Sequence, residues 1–408
     1  MTRRLVLGAL AAAVGKLQGQ TATEAAANED FWFAARMAFT VDRNLLNFNN
    51  GSVCPAPKVV QEAMERYWTV TNLSPSHYVD ELLLPETEVI REELAREFGC
   101  SPEELALTRN TSEGLHSVIL GLDLKPGDEV VTTTQDYPSM FSSLDQRAER
   151  EGIVVKKFAY PTPPKDPQQL FDLFFANVGP KTRAILVSHM TFTTGQIFPV
   201  GAICREARRR GIYSIVDGAH SFAHLVFRRD DIDCDFYSTS LHKWLTAPVG
   251  TGFLYMRREL IPRVWPLLGV PAAMKANIRK FESIGTAPVA MRNAVADALA
   301  FHRGLGALRK QERLRYLRRR WEGALRGVDR VKLLNADSPE QSCGIGALRV
   351  DGIRAEQLTA TLLNKFKIHV RTRVMPGEFE CIRVTPNIYA SLEDVDRFSR
   401  AIIAIARG

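Results

Sequence analysis

Short apolar runs alternate with longer amphipathic segments along most of the chain. The apolar runs are rich in β-branched residues and lie at 105–108, 129–133, 153–158, 182–188, 213–217 and 252–256. Such runs are typical of strands that are covered on both faces of a parallel sheet. Because helical patterns fall between them, the sequence predicts an α/β domain with a mostly parallel sheet.

The pattern changes after about residue 300. A long basic helix is followed by strand-like runs at 345–350 and 382–385, with helical segments between and after them. Capping signals predict a helix near Glu103, preceded by Ser101 and Pro102, and a last helix that begins at Ser391 with Asp394 three residues on. We therefore expect a large domain over residues 29–300 and a smaller α/β domain over residues 301–408.

Residues 1–28 differ in composition from the rest of the chain. Arg3 and Arg4 precede an apolar run that ends near Val14, and small and polar residues follow. The run is too short to span a bilayer, so we expect no stable membrane anchor. The pattern predicts a twin-arginine export signal and a periplasmic or exported protein; the alternative is a disordered extension of a cytoplasmic protein.

Charge and cysteine usage exclude some classes of protein. The chain has 408 residues and a net charge of +7, and seven of its 53 lysines and arginines fall in one helical stretch, namely Arg309, Lys310, Arg313, Arg315, Arg318, Arg319 and Arg320. We interpret this stretch as a solvated helix face, and no nucleic acid is expected because no reading module accompanies it. The six cysteines form no C-x-x-C pair, so no metal site is expected.

Ligands of such sheets bind beyond the carboxyl ends of the strands, and three polar segments follow strands there. Thr111 and Ser112 open a helix after the first strand, where hydroxyls and free N–H groups would form an anion site or a simple N-cap. Asp217 ends a buried strand, where it is either functional or a turn cap. Lys243 follows the next strand among hydroxyls, an imidazole and an indole, an environment that can lower the pKa of an amine nucleophile.

An anion site, a carboxylate and a half-buried lysine together meet the needs of pyridoxal 5'-phosphate. With these residues, the stretch from about 45 to 400 resembles the class V aminotransferase and cysteine desulfurase family of pyridoxal-phosphate enzymes. The segments 47–52 (Asn-Phe-Asn-Asn-Gly-Ser) and 242–244 (His-Lys-Trp) are most similar to its isopenicillin N epimerase-like branch. The resemblance implies fold type I, with a seven-stranded type of sheet and an N-terminal segment that contributes to the small domain. It also implies a homodimer with the active site at the subunit interface.

The resemblance also implies roles for individual residues. Lys243 would form the Schiff base, Asp217 would pair with the pyridinium nitrogen, and His220 would approach the ring hydroxyl; these three are the expected catalytic residues. The remaining expected contacts are with the phosphate (Thr111, Ser112, Ser240 and His242), the pyridine face (Tyr137), the pocket wall (Thr191), the partner's phosphate (Thr286) and the substrate (Asn50 and Arg383). At Thr286 the family pattern of Arg-Asp-Pro is replaced by Ala287-Pro288.

The implied chemistry is aminotransfer, epimerisation or C–S lysis of an α-amino acid or a related amine. Desulfuration through a persulfide is disfavoured, because Pro376 lies near where the family's loop cysteine is expected. The alternative from another class is a catalytically silent binding or scaffold protein that keeps the fold. A serine hydrolase and a P-loop enzyme are not supported, because the chain has neither G-x-S-x-G nor a P-loop motif.

Overall fold

The computed structural model describes residues 19–408 together with Gly8, Gly15 and Leu17. The strands are β1 (Leu46–Asn47), β2 (Leu105–Thr108), β3 (Glu129–Thr133), β4 (Val154–Phe158), β5 (Thr182–Ser188), β6 (Tyr213–Asp217), β7 (Phe236–Ser240), β8 (Gly252–Met256), β9 (Val331–Leu333), β10 (Gly346–Val350), β11 (Ile368–His369), β12 (Arg371–Met375) and β13 (Phe379–Val384). Most of the predicted strands are therefore present with the expected bounds.

The α-helices surround these strands. They are α1 (Ala22–Ala26), α2 (Glu29–Met37), α3 (Lys58–Leu73), α4 (Pro75–Tyr78), α5 (Leu84–Phe98), α6 (Thr111–Gly121), α7 (Pro138–Glu151), α8 (Pro167–Ala176), α9 (Val200–Arg209), α10 (Arg229–Ile232), α11 (Val289–Asn293), α12 (Val295–Leu305), α13 (Ala307–Leu325), α14 (Ala355–Phe366) and α15 (Leu392–Arg407). Ser391 caps the last of them, as predicted. The helix expected near Glu103 is one 3₁₀ turn, Pro102–Glu104, because β2 begins at the next residue.

The larger sheet has the strand order β2-β8-β7-β6-β5-β3-β4. β8 runs antiparallel to both of its neighbours, and the other pairs are parallel. The predicted α/β fold with a mostly parallel sheet is confirmed. Parallel strands present their carboxyl ends at one edge of the sheet, so β5, β6 and β7 end beside one another there.

A smaller antiparallel sheet in the order β12-β13-β10-β9 is packed against α14 and α15. The segment that precedes the large sheet also contacts this region. β1 pairs in parallel with β11, and Phe48 lies edge-on to Phe398 with 5.7 Å between ring centroids. Residues after β1 are thereby held close to β13, where Asn49 bridges to Thr385.

Helix α13 corrects the interpretation of the basic stretch as a solvated face. Arg313 and Arg318 are fully buried, each paired with a carboxylate, and Lys310 donates to the main-chain oxygen of Trp244. The helix lies between two apolar cores: Leu314 belongs to the core of the large sheet and Leu317 to that of the small sheet. Because both sides are covered, basic residues adjacent to the apolar stripe are buried as well.

The end of the N-terminal extension also differs from expectation. Most of the predicted export signal lies outside the described residues. However, α1 is ordered: Ala25 and Ala26 are buried, and the Arg313 guanidinium donates to the Ala26 carbonyl at 2.9 Å. The expected boundary at residue 28 therefore falls too late, because the chain from Thr21 onward packs on α13.

Within the described residues, no helix combines the length and apolar character needed to cross a membrane. The same part of the chain contains no group of three or more side chains suited to hold a metal ion.

Candidate active site

A cavity of about 250 Å³ opens at the carboxyl edge of the large sheet, between it and the small sheet. Its lining combines residues from both parts of the chain. They are Gly51, Ser52, Asn110, Thr111, Ser112, Tyr137, Met140, Ser188, Met190, Phe192, Asp217, Ala219, His220, Ser240, His242, Lys243, Arg373 and Arg383. The structure thus brings together most of the residues singled out in the sequence, although they are far apart along the chain.

Lys243 lies in the turn that follows β7. Its Nζ is 3.3 Å from Nε2 of His220. Burial lowers the pKa of Lys243 to about 8, and the carboxylate of Asp217 opposes the shift. About a tenth of this amine is therefore uncharged at pH 7, far more than of an ordinary lysine, and the uncharged amine is the form that attacks an aldehyde.

His220 is held in one tautomer by its neighbours. The indole Nε1–H of Trp244 donates to Nδ1 of His220 at 3.3 Å, so the neutral ring carries its proton on Nε2. Burial holds the pKa of His220 well below its ordinary value, and the charge of Lys243 adds to this effect. Nε2–H then donates to the uncharged Lys243 amine. His224 stacks on Trp244 with ring centroids 3.8 Å apart, which fixes the indole.

Asp217 is the last residue of β6. One carboxylate oxygen accepts the Ala219 N–H at 2.9 Å. Burial raises the pKa of Asp217 to about 6, while this hydrogen bond and the charge of Lys243 oppose the rise. A cationic ring nitrogen beside Asp217 would stabilise its ionised form, so the site is suited to a protonated pyridine.

The start of α6 forms an anion site with the end of β7. Asn110 caps the helix by accepting the Glu113 N–H, so the helix begins at Thr111. Thr111 donates its N–H to Ser240 Oγ at 2.9 Å, and the two hydroxyls are 2.8 Å apart. His242 also lines the cavity, and its Nδ1 is buried with no partner among the described residues. An unpartnered polar atom in the same cavity as a helix N-terminus fits a phosphate group.

Arg383 enters the cavity from β13 and is fully buried. Its guanidinium donates to Phe192 O, Asn49 Oδ1 and Ser52 Oγ, each at 2.9 Å. Gly51 leaves room for it, because a Cβ at that position would lie 2.9 Å from Arg383 Cζ. None of these partners is charged, so the guanidinium is oriented without being neutralised. This is the arrangement expected for a carboxylate-binding arginine.

Tyr137 lies at the cavity rim and is 40% exposed. Its ring is edge-on to Phe192, with centroids 5.3 Å apart. This position leaves one face of Tyr137 available to a ligand ring, so stacking on the cofactor stays a prediction.

Three expected site residues do not line the cavity. Asn50 is fully buried, donates to Asn47 O and Thr385 O, and accepts the Tyr389 hydroxyl at 2.6 Å. The expected direct contact with substrate is therefore corrected: Asn50 holds the turn that precedes Gly51.

The other two expected residues are Thr191 and Thr286. Thr191 accepts the Gln196 N–H at 3.0 Å and shapes the loop after β5, so it is not part of the pocket wall. Thr286 lies near Arg91, in a separate depression of the surface. Its expected contact is with the partner subunit's cofactor and stays a prediction.

Sequence reasoning missed Arg373 and Phe192. Arg373 lies on β12, and its guanidinium carbon is 5.0 Å from the centroid of the Phe192 ring. The signal for Arg373 is the alternation of Arg371, Thr372 and Arg373, which places both arginines on one face of a strand. Phe192 follows a strand end without any local motif, so its position depends on the folding of the loop.

All six cysteines lie in the described part of the chain, and none lines the cavity. Burial raises the pKa values of the Cys54 and Cys381 thiols to about 12. A thiol with such a pKa is a poor nucleophile at neutral pH. Neither of these two thiols is therefore suited to attack a substrate in this cavity.

Known proteins are similar to this chain over most of its length. The family model described as Aminotransferase class-V matches residues 46–399. Isopenicillin N epimerase of Streptomyces clavuligerus is 31% identical to this chain, and the match covers 92% of this chain and 98% of that protein.

Solved structures share the fold. A cysteine desulfurase from Thermococcus onnurineus NA1 superimposes with a TM-score of 0.81 at 24% identity and covers 91% of this chain and 97% of its own. A mutant of the protein C-DES, with glycine covalently linked to its PLP cofactor, superimposes with a TM-score of 0.80 at 23% identity. The match covers 90% of this chain and 98% of the C-DES chain.

Proposed function

Because the chain belongs to the class-V aminotransferase family of pyridoxal-phosphate enzymes, we propose that it acts on the Cα–H bond of an α-amino acid, with Lys243 as the residue that holds the cofactor. One observation carries this proposal. The cavity of about 250 Å³ contains a lysine of lowered pKa, a buried carboxylate and an arginine without a carboxylate partner in the described chain.

Each residue has a defined task in this proposal. Thr111, Ser112 and His242 hold the phosphate group, Asp217 holds the proton on the pyridine nitrogen, and Nε2–H of His220 donates to the ring hydroxyl oxygen. Bound there, pyridoxal phosphate supplies an electron sink that makes the substrate's Cα–H acidic.

The remaining tasks concern the substrate. Arg383 binds the α-carboxylate through its planar fork and so fixes the position of Cα. The amine of Lys243, once released from the cofactor, moves the proton at Cα. Epimerisation is the first reaction to test, because an isopenicillin N epimerase is 31% identical over almost the whole chain.

The cofactor assignment is tested by the visible absorbance of the purified protein after incubation with pyridoxal phosphate. We expect a yellow band that Lys243→Ala removes. Lys280→Met is the matched control, because Lys280 is also buried with a pKa near 8 but lies outside the cavity. A protein that stays colourless, or a Lys243→Ala variant that keeps both band and turnover, would support the silent scaffold instead.

The reaction type is tested by incubating the enzyme with amino acids in deuterated water. Epimerisation exchanges the Cα proton and yields both configurations without releasing a keto acid. Transamination instead requires an acceptor and yields a keto acid, and β-elimination releases ammonia together with a keto acid. Release of a keto acid without inversion at Cα would reject the epimerase assignment and leave the role of Lys243 intact.

We also propose that the enzyme is a homodimer. Large apolar side chains are exposed on the loop after β8, where Trp265 is 75%, Leu267 45% and Leu268 52% exposed. Such a patch is typical of an interface between subunits. Sedimentation at micromolar concentration should give twice the monomer mass, and Trp265→Glu should shift the protein toward the monomer; a wild-type monomer would reject this part.

A further inference from the structure

Two arginines of the small sheet reach the cavity from neighbouring strands. In the antiparallel register, Arg371 lies directly opposite Arg383, and Arg373 lies opposite Cys381. Side chains on one strand alternate between faces, so Arg371, Arg373 and Arg383 share a face of the sheet. Arg373 and Arg383 are diagonal neighbours on that face, and both line the cavity, whereas Arg371 is exposed and does not.

Arg373 has no charged partner in the described part of the chain. No carboxylate of residues 19–408 lies within ion-pair distance of it, and its guanidinium makes no hydrogen bond with those residues. Its Nε is buried and unpartnered, and its contact with Phe192 is with the ring face. Arg373 is half-buried, and a guanidinium in a cleft without a charged partner indicates a site for an anion, because the partial loss of its water is otherwise uncompensated.

The cavity contains more positive charge than the cofactor and one carboxylate require. Among the described residues that line it, Asp217 is the one carboxylate, and it faces the pyridine nitrogen in the proposed function. The phosphate group is assigned to the start of α6, and the α-carboxylate to Arg383. Arg373 is then left without an anion.

We propose that Arg373 binds a second acidic group, carried on the side chain of the substrate, so that the enzyme selects amino acids with two acid groups. This inference rests on the proposed function. Phe192 fixes the geometry, because its carbonyl accepts from Arg383 while its ring supports Arg373. Diagonal positions on paired strands are ~7–8 Å apart, a spacing that a side chain of a few carbons can span.

The first test is calorimetric titration of the cofactor-loaded protein with glutarate and with its monoamide. These probes differ by one charge and need no turnover. We expect glutarate to bind roughly 10- to 100-fold more tightly than the monoamide, as a charge-assisted hydrogen-bonded pair provides. In Arg373→Gln this preference should disappear, and in Arg373→Lys it should be partly retained.

Arg371→Gln is the matched control, because Arg371 lies on the same strand and face but outside the cavity. It should keep the preference for glutarate. Loss of the preference in Arg371→Gln as well would mean that the general positive field attracts the diacid, and would overturn the proposal. Equal weakening of both probes in Arg373→Gln would show that Arg373 assists Arg383 with the first carboxylate, which also contradicts it.

Kinetics provide the second readout. If amino acids are turned over, Arg373→Gln should raise KM for glutamate or aspartate roughly 10- to 100-fold more than for glutamine or asparagine, with a smaller change in kcat. Failure of the proposed function would appear as a missing absorbance band. Failure of this inference would appear as a cofactor-loaded protein with no preference for the diacid, so the two results are distinguishable.

Discussion

Helix α13 and the cavity both bury arginines, but they treat the charge differently. On α13, Arg313 is paired with Glu29, and Arg318 with Glu322. In the cavity, Arg383 has only uncharged hydrogen-bond partners, and Arg373 has no hydrogen-bond or charged partner in the described chain. Arginine is therefore ion-paired with a carboxylate of the protein in one region and has no charged partner in the other.

The difference shows how to separate structural from functional charges. Removal of a guanidinium from water is unfavourable, and a nearby carboxylate offsets most of that penalty. Where the fold provides no carboxylate, a ligand is expected to provide the anion. Charge alone does not identify an arginine that binds a ligand. A guanidinium that lies in a cavity without a charged partner indicates one.

The largest effect is expected on the stability of α13. Arg318→Met leaves Glu322 buried without its partner and should lower the free energy of unfolding by about 3–5 kcal/mol, measured by urea denaturation. Arg318→Met combined with Glu322→Leu should recover most of this loss, because no unpaired charge remains. An Arg318→Met variant as stable as the wild type would contradict the distinction between the ion-paired arginines of α13 and the arginines of the cavity.

Replacement of Arg383, the fully buried arginine of the cavity, should affect substrate binding more than stability. Arg383→Gln should raise KM for α-amino acids roughly 100-fold, equivalent to about 2–3 kcal/mol, because it loses the bidentate contact with the α-carboxylate. The control is the same compound without its carboxylate, for which the KM of Arg383→Gln should stay within a few-fold of the wild-type value. An equal effect on both compounds would mean that Arg383 only supports the cavity wall.

The lowered pKa of the Lys243 amine should determine the pH dependence of cofactor uptake. Its folded-state pKa is lowered to about 8, so the reactive neutral form increases as pH rises through that value. The rate of uptake by the cofactor-free protein should therefore rise roughly tenfold between pH 7 and 9 and then level off. A rise that continues to pH 10.5 would indicate an ordinary, solvated lysine.

The smallest effect is expected for the stability of Arg373→Gln. Because Arg373 has no charged partner in the described chain, its replacement should not lower the free energy of unfolding of the cofactor-free protein by more than about 0.5 kcal/mol, and relief of its uncompensated charge can only raise it. Thermal and urea denaturation measure this change. A loss as large as that of Arg318→Met would show that Arg373 is structural.

Much of the site was predictable because its residues follow strands. Asp217 is the last residue of β6 and Lys243 lies three residues beyond the end of β7, and the carboxyl ends of parallel strands meet at one edge. The capping pattern at Thr111 and Ser112 is local as well. Asn50 could not be assigned in this way, because its partners Thr385 and Tyr389 are brought to it by the tertiary fold.

The amino-acid sequence by itself determined the alternating α/β order, the family and the set of groups for the cofactor, since each depends on local periodicity or on short motifs. The tertiary structure decided which charges are neutralised. Lys310, Arg313 and Arg318 look like a surface stripe in the sequence and are buried, whereas Arg373 is distant in sequence from Lys243 and shares its cavity. Burial and ion pairing depend on what covers a side chain, and that is set by segments far away along the chain.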